Sequence, residues 1–208
     1  MNAPDSLLSA ARKLADAIGR PWSAVQPYYK ALQEPDLDQR TAWLPKSLGR
    51  SIWYAHPNYI TRLLIALGGT TNPAEAHATL HWAQELTPGG RERYMTERPA
   101  ADIPLLIELE FSKYLVDAEA ASKLLSIEIH PDRKAIVFNQ RDGKPTIFCL
   151  PGGADEIEGG AALPFIGIQY RGVIDGRVLV TLANTVKWRR PSQPPYGSSR
   201  EVDVFEGE

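Results

Sequence analysis

Cysteine is nearly missing. Cys149 is the only one in 208 residues, which excludes an internal disulfide and any zinc site made of several thiolates. Long apolar runs are missing too: none approaches the roughly 20 residues of a membrane-spanning helix, so no membrane contact is expected. The opening MNAPDSLLSAARKL shows neither a basic leader ahead of a long apolar segment nor a cleavage-type site, so no secretory signal and a cytoplasmic location are expected. Internal repeats are missing. So is a catalytic constellation. The Ser, His and Asp residues show no triad spacing, and Cys149 lies in the apolar run TIFCLPGG with no base placed to activate it, as a buried, inert thiol does. A protein that is not an enzyme and carries no cofactor is the expectation.

What remains has the composition of a folded globular chain, with 43% hydrophobic and 23% charged residues. The net charge of −2 hides an uneven spread. Residues 1–65 hold eight Lys/Arg against five Asp/Glu, whereas the rest hold 15 against 20. A locally basic module on an acidic body suits a polyanion contact, and the acidic part discourages indiscriminate sticking.

The first third has a helical period. Leu7, Leu8, Ala11, Leu14, Ala15 and Ile18 make one apolar face, and Gly19 follows as a helix-ending glycine. Ser23 is placed to cap a second helix with Val25, Tyr29 and Leu32 toward the core; Pro27 inside it implies a later start or a distorted first turn. TAWLP and RSIWYA read as two short extended arms around KSLG, a hairpin. PNYITRLLIALGG predicts a helix capped by Asn58 and stopped at Gly68-Gly69, and NPAEAHATLHWAQEL another, with Asn72 as cap and Pro73 in its first turn. TPGGRERYMTERPAAD is turn-rich, and a helix is expected over about 103–124. SIEIHP, KAIVFNQ, TIFCLP, FIGIQYRGVI and RVLVTLANTV then read as antiparallel strands separated by turn residues, with LPGGADEIEGG as a long hairpin connection.

The expected fold is therefore α+β. A helical, winged-helix-like module (1–86) is followed by a connecting loop (87–102), a helix with a small antiparallel β-sheet (103–190) and a flexible tail (191–208).

A helix-turn-helix braces one helix with another and lays the first turns of the second in the major groove. LADAIG, RPW and SAVQPYYKALQE have that order. Arg20, Ser23 and Lys30 would take phosphates, Gln26 is able to pair with adenine, and Trp22 and Tyr28 either pack on sugars or fill core. In the hairpin Lys46, Ser47, Arg50 and Ser51, with Gly49 between, are phosphate-contact groups on a compliant backbone. The succession of brace helix, GRPWSAVQPYYKALQE, LPKSLGRS and the apolar helix YITRLLIAL resembles N-terminal helix-turn-helix domains of uncharacterised regulator-like proteins of α-proteobacterial genomes and prophages, over about the first 85 residues. The resemblance implies DNA binding with contacts at Ser23, Gln26, Lys30, Lys46 and Arg50; Pro27 departs from an ordinary recognition helix.

The expected function is sequence-specific binding of double-stranded DNA in transcriptional control, as a homodimer because one module spans only a few base pairs. The alternative is a protein–protein interaction factor, a phage-encoded antagonist or assembly protein; a second rival is an enzyme whose residues converge only in three dimensions, around His77, His81 and an acid. His77 and His81 share a helix face at metal-ligand spacing, but Ala78 replaces the glutamate of the metalloprotease motif; Glu85 and His56 are the candidate further ligands. Packing or surface histidines are the simpler reading, so no metal is expected. Asp155, Glu156 and Glu158 read as a solvated acidic loop. A small-molecule effector is left open.

Overall fold

The computed structural model describes residues 3–37, 41–47, 51–91, 106–151, 170–190 and 195–198. Among them α1 (Leu7–Ala17) and α2 (Trp22–Ala31) form the leading helical pair. Ser6 caps α1 by accepting a hydrogen bond from the Ser9 N–H at 3.0 Å. Leu7, Ala10, Ala11 and Leu14 are buried, one stripe of the helix. Gly19, at φ +67°, takes the left-handed conformation that ends it.

The second helix begins earlier than its serine suggests. Pro21 occupies the cap position and Ser23 lies in the first turn, with no side-chain cap hydrogen bond. Pro27 is accommodated inside α2, without an N–H to return to the carbonyl of Ser23.

The expected hairpin arms do not pair with each other among the described residues. β1 (Ser51–Trp53) pairs antiparallel with β7 (Tyr196–Ser198), in the register Ser51↔Ser198. The other arm folds inward instead. Trp43 and Leu44 are buried, and the Leu44 N–H donates to the Leu32 carbonyl at 2.8 Å, which ties the segment to the end of α2. Part of the tail expected to be flexible is thus a strand.

α3 (Pro57–Gly69) is the central helix, with ten of its thirteen residues buried. His56, not Asn58, is its cap: the His56 Nδ1 accepts from the Asn58 N–H at 3.3 Å. Gly68 and Gly69 are its last two residues, and Thr70 is the C-cap. Asn72 caps a 3-10 turn (Pro73–Glu75) that leads into α4 (Ala76–Gln84).

The second half carries α5 (Leu106–Val116) and α6 (Ala118–Ser122) in place of one long helix. Asp117 causes the division, because its carboxylate accepts the Glu119 and Ala120 N–H groups as a new N-cap. β2 (Thr87–Pro88), β3 (Leu124–His130), β4 (Ala135–Gln140), β5 (Thr146–Cys149) and β6 (Gly172–Asp175) form an antiparallel sheet in the order β2-β5-β4-β3-β6. The residues 87–88 expected in a loop are its edge strand, and 92–102 lie outside the described residues.

RVLVTLANTV is not a strand. It forms α7 (Gly176–Thr185), capped by Asp175, whose carboxylate accepts the Arg177 N–H at 2.8 Å. Val178, Leu179, Leu182 and Val186 recur at helical spacing and are buried. The Arg177 side chain also grips Asp175 and holds its carboxyl at about 2, below the usual 3.8. Because the folded value is the lower one, the charge stabilises the fold fully above pH 4 and that contribution fades as pH falls toward 2. Asp175→Asn keeps a capping oxygen, so it should melt like the parent at pH 2 and below it at pH 6, by thermal denaturation.

One buried cluster runs through the molecule, from Leu7 and Leu14 of α1 through Leu63 of α3 to Phe111, Phe138 and Leu182. The leading helices and the sheet half share that core. Asp5 joins both chain halves: its carboxylate pairs with Lys13 at 2.7 Å and accepts the Lys187 N–H at 2.7 Å. Phe111, Phe138 and Phe148 stack edge to face between α5 and the sheet. No helix among the described residues is long and apolar enough to cross a membrane.

Candidate nucleic-acid interface

α2 divides cleanly by its helical period. Val25, Tyr28, Tyr29 and Leu32 point inward. Ser23, Gln26, Pro27 and Lys30 recur at three- and four-residue spacing on the opposite side, where Ser23, Pro27 and Lys30 are exposed and Gln26 is half-buried. Arg20 stands exposed in the break before the helix. Trp22 is half-buried at the helix start, edge-on to Tyr29, with the Arg12 guanidinium 5.8 Å from its ring.

Tyr28 is a core residue. It is 5% exposed, and its hydroxyl donates to the Thr70 carbonyl at 3.0 Å. Burial raises the affinity of that phenol for its proton, keeping it a donor. The choice between sugar packing and core falls to core, and Tyr28 leaves the list of contact residues.

The Lys46 ammonium pairs at 3.0 Å with Glu34, three residues past the end of α2. Glu34 thus offsets the charge that is expected to clamp a phosphate. Ser47 is exposed beside it. Ser51 is half-buried in β1, paired with the tail strand, and Arg50 lies outside the described residues.

Two polar centres behind this face carry no sequence signature. At the first, Asp36 is buried and its Oδ2 accepts from Trp43 Nε1 at 2.7 Å and from His81 Nε2 at 2.8 Å, with His77 Nδ1 at 3.3 Å. His77 Nε2 lies 2.8 Å from the Ala31 carbonyl, so it carries a proton toward that oxygen. A buried carboxylate requires such partners. The spacing of His77 and His81 marked a shared helix face but could not reveal the acid it meets. Neither further ligand joins them: Glu85 is exposed and His56 caps α3. Among the described residues no group of three or more His, Cys, Asp or Glu is arranged to hold a metal ion.

The second centre joins α3 to α5. Arg62 donates through Nε to Glu108, which is fully buried, and through a terminal nitrogen to the Trp43 carbonyl at 2.7 Å. Its guanidinium lies 5.6 Å from the Trp43 ring and 5.8 Å from that of Tyr59. Trp43 thus serves both centres and fixes the segment that carries Lys46. The rings, the acids and the two histidines support the exposed face rather than form it. Compared with protein-family models, with curated proteins and with solved structures, the chain matches none.

Proposed function

We propose that the chain binds double-stranded DNA as a sequence-specific transcriptional regulator, with the exposed face of α2 in the major groove. One observation carries this reading: Ser23, Gln26 and Lys30 share the outer side of α2, whose other side is fixed in the core, and Arg20 stands exposed just before it. Arg20 and Lys30 supply phosphate contacts, Gln26 a base contact, and the backbone and hydroxyl at Ser47 a flanking contact. The winged-helix form of the reading needs a hairpin between 41 and 53, which the β1–β7 pairing replaces. Docking therefore rests on α2 and residues 46–47. Regulation of a prophage or other mobile element, and homodimerisation on paired half-sites, belong to the same proposal.

Selection of bound fragments from a genomic DNA pool at low salt tests it. Enrichment of one sequence class is expected, with affinity falling steeply as salt rises. Arg20→Ala with Lys30→Ala should weaken binding about tenfold or more and flatten the salt slope by about two, with an unchanged far-ultraviolet spectrum. A flat enrichment profile overturns the proposal. The rival reading, a protein-binding factor, draws on Leu37, which is 96% exposed. Under that reading no fragment is retarded at any salt.

A further inference from the structure

A cavity of about 610 Å³ opens between the end of α1, α3, β6 and the start of α7. Both Gly172 of β6 and Gly68 of α3 are in its lining, and there the strand packs directly against the helix backbone. Ile18, Leu64, Leu67, Ile174 and Val178 give it an apolar floor.

The rim is cationic. Arg20, Arg171 and Arg177 line it, Arg20 from the α1–α2 break and the other two from either end of β6, and among the described residues Asp175 is the one acid in the lining. Asp175 holds Arg177 in a fixed two-point grip, with contacts at 3.0, 3.1 and 2.6 Å. Arg171 spends one terminal nitrogen on Glu128 at 3.1 Å and keeps the rest of its fork of donors. Among the described residues no acid pairs with Arg20.

We propose that this cavity binds a small amphipathic anion, a carboxylate or phosphate on an apolar or aromatic body. The volume falls in the range of roughly 300–1,000 Å³ typical of small-molecule sites. The apolar floor gives a bare inorganic ion nothing to bury against, and the guanidinium rim gives a neutral lipophile no advantage over solvent. Only a ligand with both parts uses the whole site. Its acid group meets Arg20 and Arg171, where bidentate geometry favours planar or tetrahedral oxyanions. The proposal shares Arg20 with the proposed DNA face but does not rest on that reading, because Arg171 and the apolar lining lie outside α2.

Titration calorimetry on the full chain, without DNA, tests it with four probes: octanoate, phenyl phosphate, octanol and inorganic phosphate. At least one of the two amphipathic anions should bind with one-to-one stoichiometry, at least tenfold more tightly than octanol or inorganic phosphate. Arg20→Gln, at an exposed position, should weaken that binding roughly tenfold. Thr181→Trp, on the exposed side of α7 at the cavity lining, should block it by filling the mouth. Both variants should melt like the parent. Absence of binding by both anions at millimolar concentration overturns the proposal, as does equal binding of octanol. Wild-type affinity in either variant does the same.

Discussion

Glu108→Ala should lower the unfolding free energy by about 3 kcal/mol, because it strands the Arg62 guanidinium beneath α5. Glu108 is fully buried on a helix whose neighbouring inward residues, Ile107, Phe111 and Leu115, are apolar. A lone carboxylate there would be strongly unfavourable; Arg62 reaching over from α3 makes it tolerable. Breaking a buried pair costs about 3–5 kcal/mol, and the 21% exposure of the Arg62 side chain places this case at the lower end. Arg62 would keep its bond to the Trp43 carbonyl and its two aromatic neighbours, so the loss is partial. Urea titration should show an earlier midpoint with an unchanged slope. Replacing both partners by apolar groups, Glu108→Leu with Arg62→Met, should recover most of the loss, because neither charge is then left unmatched. A single-variant loss below about 1 kcal/mol would show that water already reaches the guanidinium and that the pair holds little together.

That ion pair illustrates where sequence reasoning stops. Local signals were readable because their causes are local. The stripe of Leu7, Ala11 and Leu14 with its stop at Gly19, and Asn72 before Pro73, act through neighbours within one or two turns. The turn between β3 and β4 is likewise local, with Lys134 at φ +45° in it. Arg62 and Glu108 stand 46 positions apart, in segments that each look self-sufficient. Nothing in a helical period says which charged residue on one helix will meet which on another. The strand pair Ser51–Trp53 with Tyr196–Ser198 is the extreme case. Two extended arms beside a basic turn suggest a hairpin, since loop closure favours the nearer partner. Burial of Trp43, held by Asp36, removed that partner from competition.

The stretch 177–186 misled for a different reason. Val178, Val180, Thr181 and Val186 are β-formers by intrinsic preference. Preference lost to a cap and a face: Asp175 satisfies the first turn, and Val178, Leu179 and Leu182 bury together against the core. The candidate interface was legible to a similar degree. Alternation along α2 separates Ser23 and Lys30 from Val25 and Leu32, as the structure does. The same alternation leaves Tyr28 undecided, and only the Thr70 carbonyl that receives its hydroxyl places it inside. Aromatic residues near a helix break carry both meanings in sequence. Their polar tips choose between them.

Gly172→Ala should cost about 3 kcal/mol, whereas Gly68→Ala across the same contact should cost less than about 1 kcal/mol. A Cβ on Gly172 would stand 2.1 Å from the Gly68 carbonyl oxygen and 2.6 Å from its Cα. Both are backbone atoms of a helix buried on most sides, so relief requires α3 to move away from the sheet. A Cβ on Gly68 meets chiefly the Ile129 Cδ1 at 2.5 Å, the far end of a side chain with other rotamers to take. It also gains about 1 kcal/mol of helix preference relative to glycine, which offsets much of the repacking. For a chain of this size the Gly172 variant should melt roughly 6–12 °C lower, while the Gly68 variant should stay within a few degrees of the parent. Calorimetry of the two variants side by side reads the contrast directly. The asymmetry matters for the cavity as well. Forcing α3 off β6 would separate Leu64 and Leu67 from Ile174 and Val178, and so break the floor on which an apolar ligand body would rest. Equal penalties for the two alanines would mean that the helix and strand are free to slide past one another, and the floor would then have no fixed shape to recognise anything.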